Sequence, residues 1–137
     1  MTKQNIGFIG CGNLALQAIK TLSGSYNIFY SNLSINQAAE NLSAEKLETI
    51  DLAKKCDVIF ITVKPNVTAE VLSLIASQLQ NQLIVSFVAG ISRSKLVEMA
   101  SGYKNIVRTM PCLGIGFKNG PIAIAKMGDK ALSLIHI

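Results

Sequence analysis

Apolar residues along this chain fall into short compact runs that alternate with longer stretches of helical spacing. Ile6, Phe8 and Ile9 open the alternation as strand formers, and Gly10 and Gly12 follow. Leu14, Ala15, Ala18, Ile19 and Leu22 then recur at helical intervals, with Asn13, Gln17 and Lys20 between them. This opening predicts a strand, a glycine turn and a helix. Residues 26–31, YNIFYS, read as a second strand after a turn at Ser23-Gly24-Ser25, and the polar, alanine-rich residues 36–47 as a helix. Residues 57–65, DVIFITVKP, form a nearly continuous apolar run stopped by Lys64-Pro65, as a strand buried on both faces of a parallel sheet would. Val67, Val71, Leu72, Ile75 and Leu79 supply the helix stripe that follows it. LIVSFVAG at 83–90 predicts a strand, 92–100 a helix opened by Ser92 or Ser94, and NIVRTMP at 105–111 another strand. PIAIA at 121–125 predicts a last short strand beyond a glycine-rich loop at 114–120. Strands alternating with helices predict an α/β fold, a doubly wound, mostly parallel sheet of the Rossmann type.

At 137 residues the chain has room for one domain with a proper core and is too short for a two-domain enzyme. Half of it is hydrophobic and only 15% is charged, against about 25% charged in an average soluble domain, so some apolar surface is expected to meet a partner. The formal charge of +5 is spread along the chain, at Lys20, Lys54, Lys64, Lys95 and Lys126 among others, with no dense basic run. That pattern gives no support to nucleic-acid binding. Cys11, Cys56 and Cys112 are odd in number and far apart, and His136 is the sole histidine. Neither a metal site nor a disulfide framework follows, and a reduced, cytoplasmic setting fits best. The longest apolar runs fall well short of a membrane span, and no export signal is visible at the start.

Ligands of open α/β sheets sit outside the carboxyl ends of the strands, near the switch point in strand order. Those ends hold Gly10-Cys11-Gly12-Asn13, Ser31-Asn32, Thr62-Val63-Lys64-Pro65, Phe87-Val88-Ala89-Gly90 and Met110-Pro111-Cys112. At the first of them Gly10 and Gly12 would let phosphates reach the backbone at a helix N-terminus, with Ala15 in the third small-residue place of the G-x-G-x-x-G/A pattern. A tight turn with no ligand would look the same in isolation. Together the strand ends favour a nucleotide. Where an NAD site commonly places Asp or Glu after the second strand, this chain has Ser31 and Asn32. An uncharged hydroxyl and amide can donate to a 2′-phosphate without repelling it, so NADPH is expected in preference to NADH, which stays possible.

The segments IGFIGCGNLA, DVIFITVKP, VSFVAGIS and VRTMP, in that order and spacing, resemble the N-terminal half of pyrroline-5-carboxylate reductase. The resemblance runs to about Lys126. It implies NADPH-dependent reduction of 1-pyrroline-5-carboxylate to L-proline, in which this chain supplies the cofactor-binding half. A C-terminal all-helical domain, absent here, would form the homodimer or higher homo-oligomer and carry the substrate-binding and catalytic residues. The resemblance puts Ile9, Gly10, Cys11, Gly12, Asn13 and Leu14 on the pyrophosphate, and Ser31 and Asn32 near the adenosine ribose. Thr62, Val63, Lys64 and Pro65 would lie beside the nicotinamide ribose, and Phe87, Val88 and Ala89 would line the same trough.

One departure stands out: where the family continues Met-Pro with Asn-Thr-Pro, this chain has Cys112-Leu113-Gly114. Cys112 cannot supply an amide's donor and acceptor pair, and it has no histidine nearby in sequence to activate it as a nucleophile. The departure leaves room for another NADP-dependent oxidoreductase, of the type that exchanges hydride with a deazaflavin, or for a non-catalytic nucleotide-binding module. Residues 132–137, LSLIHI, resemble the translation of a transposon end used in sequencing libraries. On that reading the dinucleotide domain is residues 1–131 and the last six are a non-native tail, His136 included.

Overall fold

The computed structural model describes residues 4–108. Six strands form one sheet: β1 (Asn5–Ile9), β2 (Asn27–Ser31), β3 (Glu45–Lys46), β4 (Val58–Ile61), β5 (Leu83–Ser86) and β6 (Ile106–Arg108). Their order is β3-β2-β1-β4-β5-β6 and every pairing is parallel. The strand order reverses between β1 and β4, the switch point of a Rossmann-type sheet.

Five helices make the crossovers: α1 (Asn13–Leu22), α2 (Gln37–Asn41), α3 (Thr49–Lys55), α4 (Pro65–Ile75) and α5 (Arg93–Met99). They divide between the two faces of the sheet, and strand residues, alternating in direction, feed a core on each face. Ile6, Phe8, Tyr30 and Phe60 pack with Ala15, Ala18, Ile19 and Leu22 of α1 and Ala39 of α2. Ile9, Phe29, Ile59, Ile61 and Ile84 pack on the opposite face with Leu52 of α3, Leu72 and Ile75 of α4 and Leu96 of α5. All four residues of β4 are buried, as its nearly continuous apolar run foretold, and so are all four of β5. No helix among the described residues is long and apolar enough to cross a membrane.

Several boundaries differ from the sequence reading, each for a local reason. The helix expected over 36–47 stops at Asn41: Leu42 and Ala44 both donate back to the Ala39 carbonyl, and Ser43 takes a left-handed φ of 68°. That reversal delivers Glu45 and Lys46 to the edge of β2 as a strand, and α3 then fills a stretch that carried no expected element. The strand expected over 57–65 ends at Ile61, and Pro65 opens α4, the helix position where its missing N–H costs nothing. The strand expected over 83–90 ends at Ser86, whose hydroxyl accepts from the Val88 N–H and turns the chain. Ser92, rather than Ser94, caps α5, its hydroxyl accepting from the Lys95 N–H at 3.2 Å. The expected strand at 121–125, the loop at 114–120, Cys112 and the boundary at 131 lie outside the described residues.

Candidate functional site

The parallel register brings the expected strand ends into a row. Ser31 pairs with Ile9, Ile9 with Ile61, and Ile61 with Ser86, so the residues that follow these four leave the sheet along one edge. At the middle of the row, beside the switch point, stands the turn from Gly10 to Gly12.

Its two glycines are needed for different reasons. Gly10 has a φ of +92°, and a Cβ there would stand 2.9 Å from Val63 Cγ1 and 3.0 Å from the Thr62 carbonyl oxygen. Backbone conformation and the close approach of the β4–α4 turn both demand glycine. Gly12 is otherwise: its φ of −100° suits any residue, and a Cβ there would meet nothing within 4 Å. Nothing among the described residues requires a glycine at that position. The space belongs to the mouth of α1, where Gly12 is the N-cap and no side chain caps the helix. The first N–H groups of a helix have no intrahelical acceptor, so α1 presents uncapped donors and its positive dipole end to whatever fills that space.

The turn is held from three sides. The Gly10 N–H donates to the Ser31 carbonyl at 2.8 Å. The Thr62 hydroxyl lies within hydrogen-bond reach of both the Ile9 and Gly10 carbonyls, which binds the β1 and β4 ends together. The Asn36 side-chain amide donates to the Cys11 carbonyl at 3.0 Å.

The expected site residues accordingly take several roles. Gly12 and Asn13 are exposed, and Leu14 is partly so. Ile9 and Cys11 put their side chains into the core, leaving backbone to the turn. Burial pushes the Cys11 thiol up to about 11, and that of Cys56 to about 12, so both stay protonated near neutrality and neither is an activated nucleophile. Ser31 is buried with its hydroxyl bonded to that of Thr49, whereas Asn32 is partly exposed and its amide donates to the nearby Ser34 carbonyl at 3.2 Å. Lys64 and Pro65 are exposed at the start of α4, with Val63 partly buried against Gly10. Phe87 and Val88 turn into the cores on opposite faces, Phe87 lying 5.2 Å from the Phe60 ring, and Ala89 is exposed. Of that last group only Ala89 is exposed. Sequence reasoning missed Thr49, which occupies the Ser31 hydroxyl, and Asn36. A helix start at Asn36 was legible, but its second bond, to a residue 25 positions away, was not.

A glycine turn at the switch point of a parallel sheet in this strand order, opening onto an uncapped helix, is the architecture of a Rossmann-type nucleotide domain. The family model described as NADP oxidoreductase, coenzyme F420-dependent, matches residues 5–90, and the chain belongs to that family. It is also similar to the N-terminal portion of pyrroline-5-carboxylate reductases. The Escherichia coli (strain K12) enzyme is 29% identical over 80% of this chain and 44% of its own length, and the Vibrio alginolyticus enzyme 30% identical over 97% and 54%. The crystal structure of Plasmodium falciparum pyrroline carboxylate reductase with NADP bound superposes with a TM-score of 0.72 at 28% identity, covering 82% of this chain and 44% of that one. The chain thus spans about half the length of the curated relatives it matches.

Proposed function

We propose that this chain holds NADPH along the row of strand ends and is the cofactor-binding part of a reductase that converts 1-pyrroline-5-carboxylate to L-proline. The observation that carries the cofactor reading is the open space over Gly12 at the uncapped N-terminus of α1. It fits a pyrophosphate, which takes up the free N–H donors and the dipole and which a side chain at position 12 would exclude. Ile9 to Leu14 line that contact, Ser31 and Asn32 the adenosine ribose, and Thr62 to Pro65 with Phe87 to Ala89 the nicotinamide side, the last group mainly through backbone. The nicotinamide, when bound, supplies the hydride. The chain's residues bind and orient it. The substrate reading rests on the reductases named above, one of which was crystallised with NADP. Two free, buried thiols suit a reduced, cytoplasmic setting. A homo-oligomer of the whole protein belongs to the same reading.

NADPH is preferred to NADH because neither Ser31 nor Asn32 carries a charge that repels a 2′-phosphate. The Asn32 amide, partly exposed and held by a local bond, can exchange Ser34 for a ligand. Fluorescence titration of the 137-residue chain is expected to show several-fold tighter binding of NADPH. Equal or reversed affinities would remove that preference. Addition of 1-pyrroline-5-carboxylate to the saturated chain is expected to oxidise no measurable NADPH. Hydride transfer needs the imine carbon held at about 3–3.5 Å, and the part of the relatives beyond this chain's span is assigned that task. Robust turnover by the chain alone would overturn the assignment.

A second reading, hydride exchange between NADP and a deazaflavin, is favoured by the description of the family model itself. Oxidation of bound NADPH by a deazaflavin, in the absence of any imine, would select it.

A further inference from the structure

Asn36 is the N-cap of α2, outside the segments assigned to the dinucleotide, and its side-chain amide and backbone N–H make three hydrogen bonds in three directions. Its Oδ1 accepts from the Ala39 N–H at 3.1 Å, its Nδ2 donates to the Cys11 carbonyl at 3.0 Å, and its backbone N–H donates to the Tyr30 hydroxyl at 3.0 Å. That hydroxyl in turn donates to Glu40 Oε2 at 2.7 Å. The assignment of oxygen and nitrogen in the Asn36 amide follows from its partners, since a helix N–H needs an acceptor and a carbonyl needs a donor.

The bond to Cys11 has no part in capping α2. It pins the central peptide of the glycine turn, whose other two fastenings, Gly10 N–H to Ser31 and Thr62 to the Ile9 and Gly10 carbonyls, hold only its beginning. The Cys11 carbonyl belongs to the peptide whose N–H is that of Gly12, at the mouth of α1. Fixing that oxygen fixes the direction in which the Gly12 N–H points.

We infer that Asn36 is a positioning residue for the dinucleotide, aiming the Gly12 amide at the pyrophosphate and coupling the β2–α2 segment to the glycine turn. The inference rests on the cofactor reading proposed above. Asn is the residue that can do both jobs with one side chain. Ser or Asp would cap α2 as well, but Ser is too short to reach Cys11 and Asp has no donor for its carbonyl.

The test uses the 137-residue chain with Asn36→Ser and Asn36→Asp, read in two ways. The first needs no ligand: backbone amide shifts, measured by NMR, are expected to move at Gly10, Cys11 and Gly12 in both variants, with α2 retained and the melting temperature within a few degrees of the parent. The second is NADPH affinity, expected to fall about tenfold in the neutral Ser variant, as loss of one aligned hydrogen bond predicts. The Asp variant is expected to fall at least as far, its charge adding repulsion. If the shifts stay within α2, or the Ser variant binds within twofold of the parent, Asn36 is a helix cap and the inference is overturned. A parent chain that binds neither NADPH nor NADH would overturn the cofactor reading and with it the ligand half of this inference, while the amide shifts would still decide the contact with the turn.

Discussion

Gly12→Val is expected to yield a folded protein that has lost its dinucleotide. Position 12 has an extended backbone that any residue adopts, and a Cβ there stands in open space, so the substitution strains nothing among the described residues. The helix has no side-chain cap to lose. A branched side chain would nonetheless occupy the approach to the first N–H groups of α1. Two or more charge-assisted hydrogen bonds to the pyrophosphate would go, which corresponds to an affinity loss on the order of a hundredfold or more. Isothermal titration with NADPH, beside a thermal melt, measures both halves of the expectation. Unchanged affinity in a folded Gly12→Val protein would show that the turn is structural and that the dinucleotide lies elsewhere.

Gly7 is the opposite case, and Gly7→Val is expected to damage the fold before any ligand is considered. Gly7 sits in the middle of β1, and a Cβ there would come within 2.5 Å of Leu52 Cδ2 and 2.8 Å of Cys56 Sγ. Both neighbours are buried, Leu52 completely, so neither side chain has room to withdraw. The bare backbone at this position is what lets α3 lie close against the sheet. Overpacking of this kind costs about 3 kcal/mol, which for a domain of this size lowers the melting temperature by roughly 12 °C or more. Thermal or urea unfolding monitored by circular dichroism would register it, and a stability equal to the parent's would mean that α3 moves aside at little cost.

These glycines show how far the chain could be read without its structure. The turn after β1 was legible because spacing alone marks it: strand formers, two glycines, then a helical stripe. Strands β4 and β5 were legible from their apolar runs, and the burial of β4 on both faces from the near continuity of its run. What distinguishes Gly10 from Gly12 was not, since one is demanded by Val63 and Thr62 and the other by nothing among the described residues, and that difference exists only once β1 and β4 are neighbours. Gly7 drew no notice among the strand formers Ile6, Phe8 and Ile9, because the helix that requires it, α3, has just two buried residues, Leu52 and Ala53, and too short a stripe to announce itself. At the site, exposure followed a rule the sequence could not apply: Phe87 and Val88 follow a strand end, as expected, yet their bulk is taken by the cores on the two faces. Asn36 and Thr49 went unassigned because their bonds to Cys11 and Ser31 depend on tertiary contacts that no local pattern encodes.

The order in which the sheet is threaded also bears on when the site comes into being. β1 lies between β2 and β4, and the carbonyl of Gly10, in the turn just after it, waits for the hydroxyl of Thr62, 52 residues further on. Parallel pairings across such separations must close a long loop before any contact rewards them, which makes them slow relative to local structure. During synthesis, α1 and the β1–β2 pair can form early, but the glycine turn reaches its working shape only after β4 has emerged and docked. A nascent chain arrested before residue 62 would therefore carry every glycine of the turn and still lack a finished seat for a phosphate.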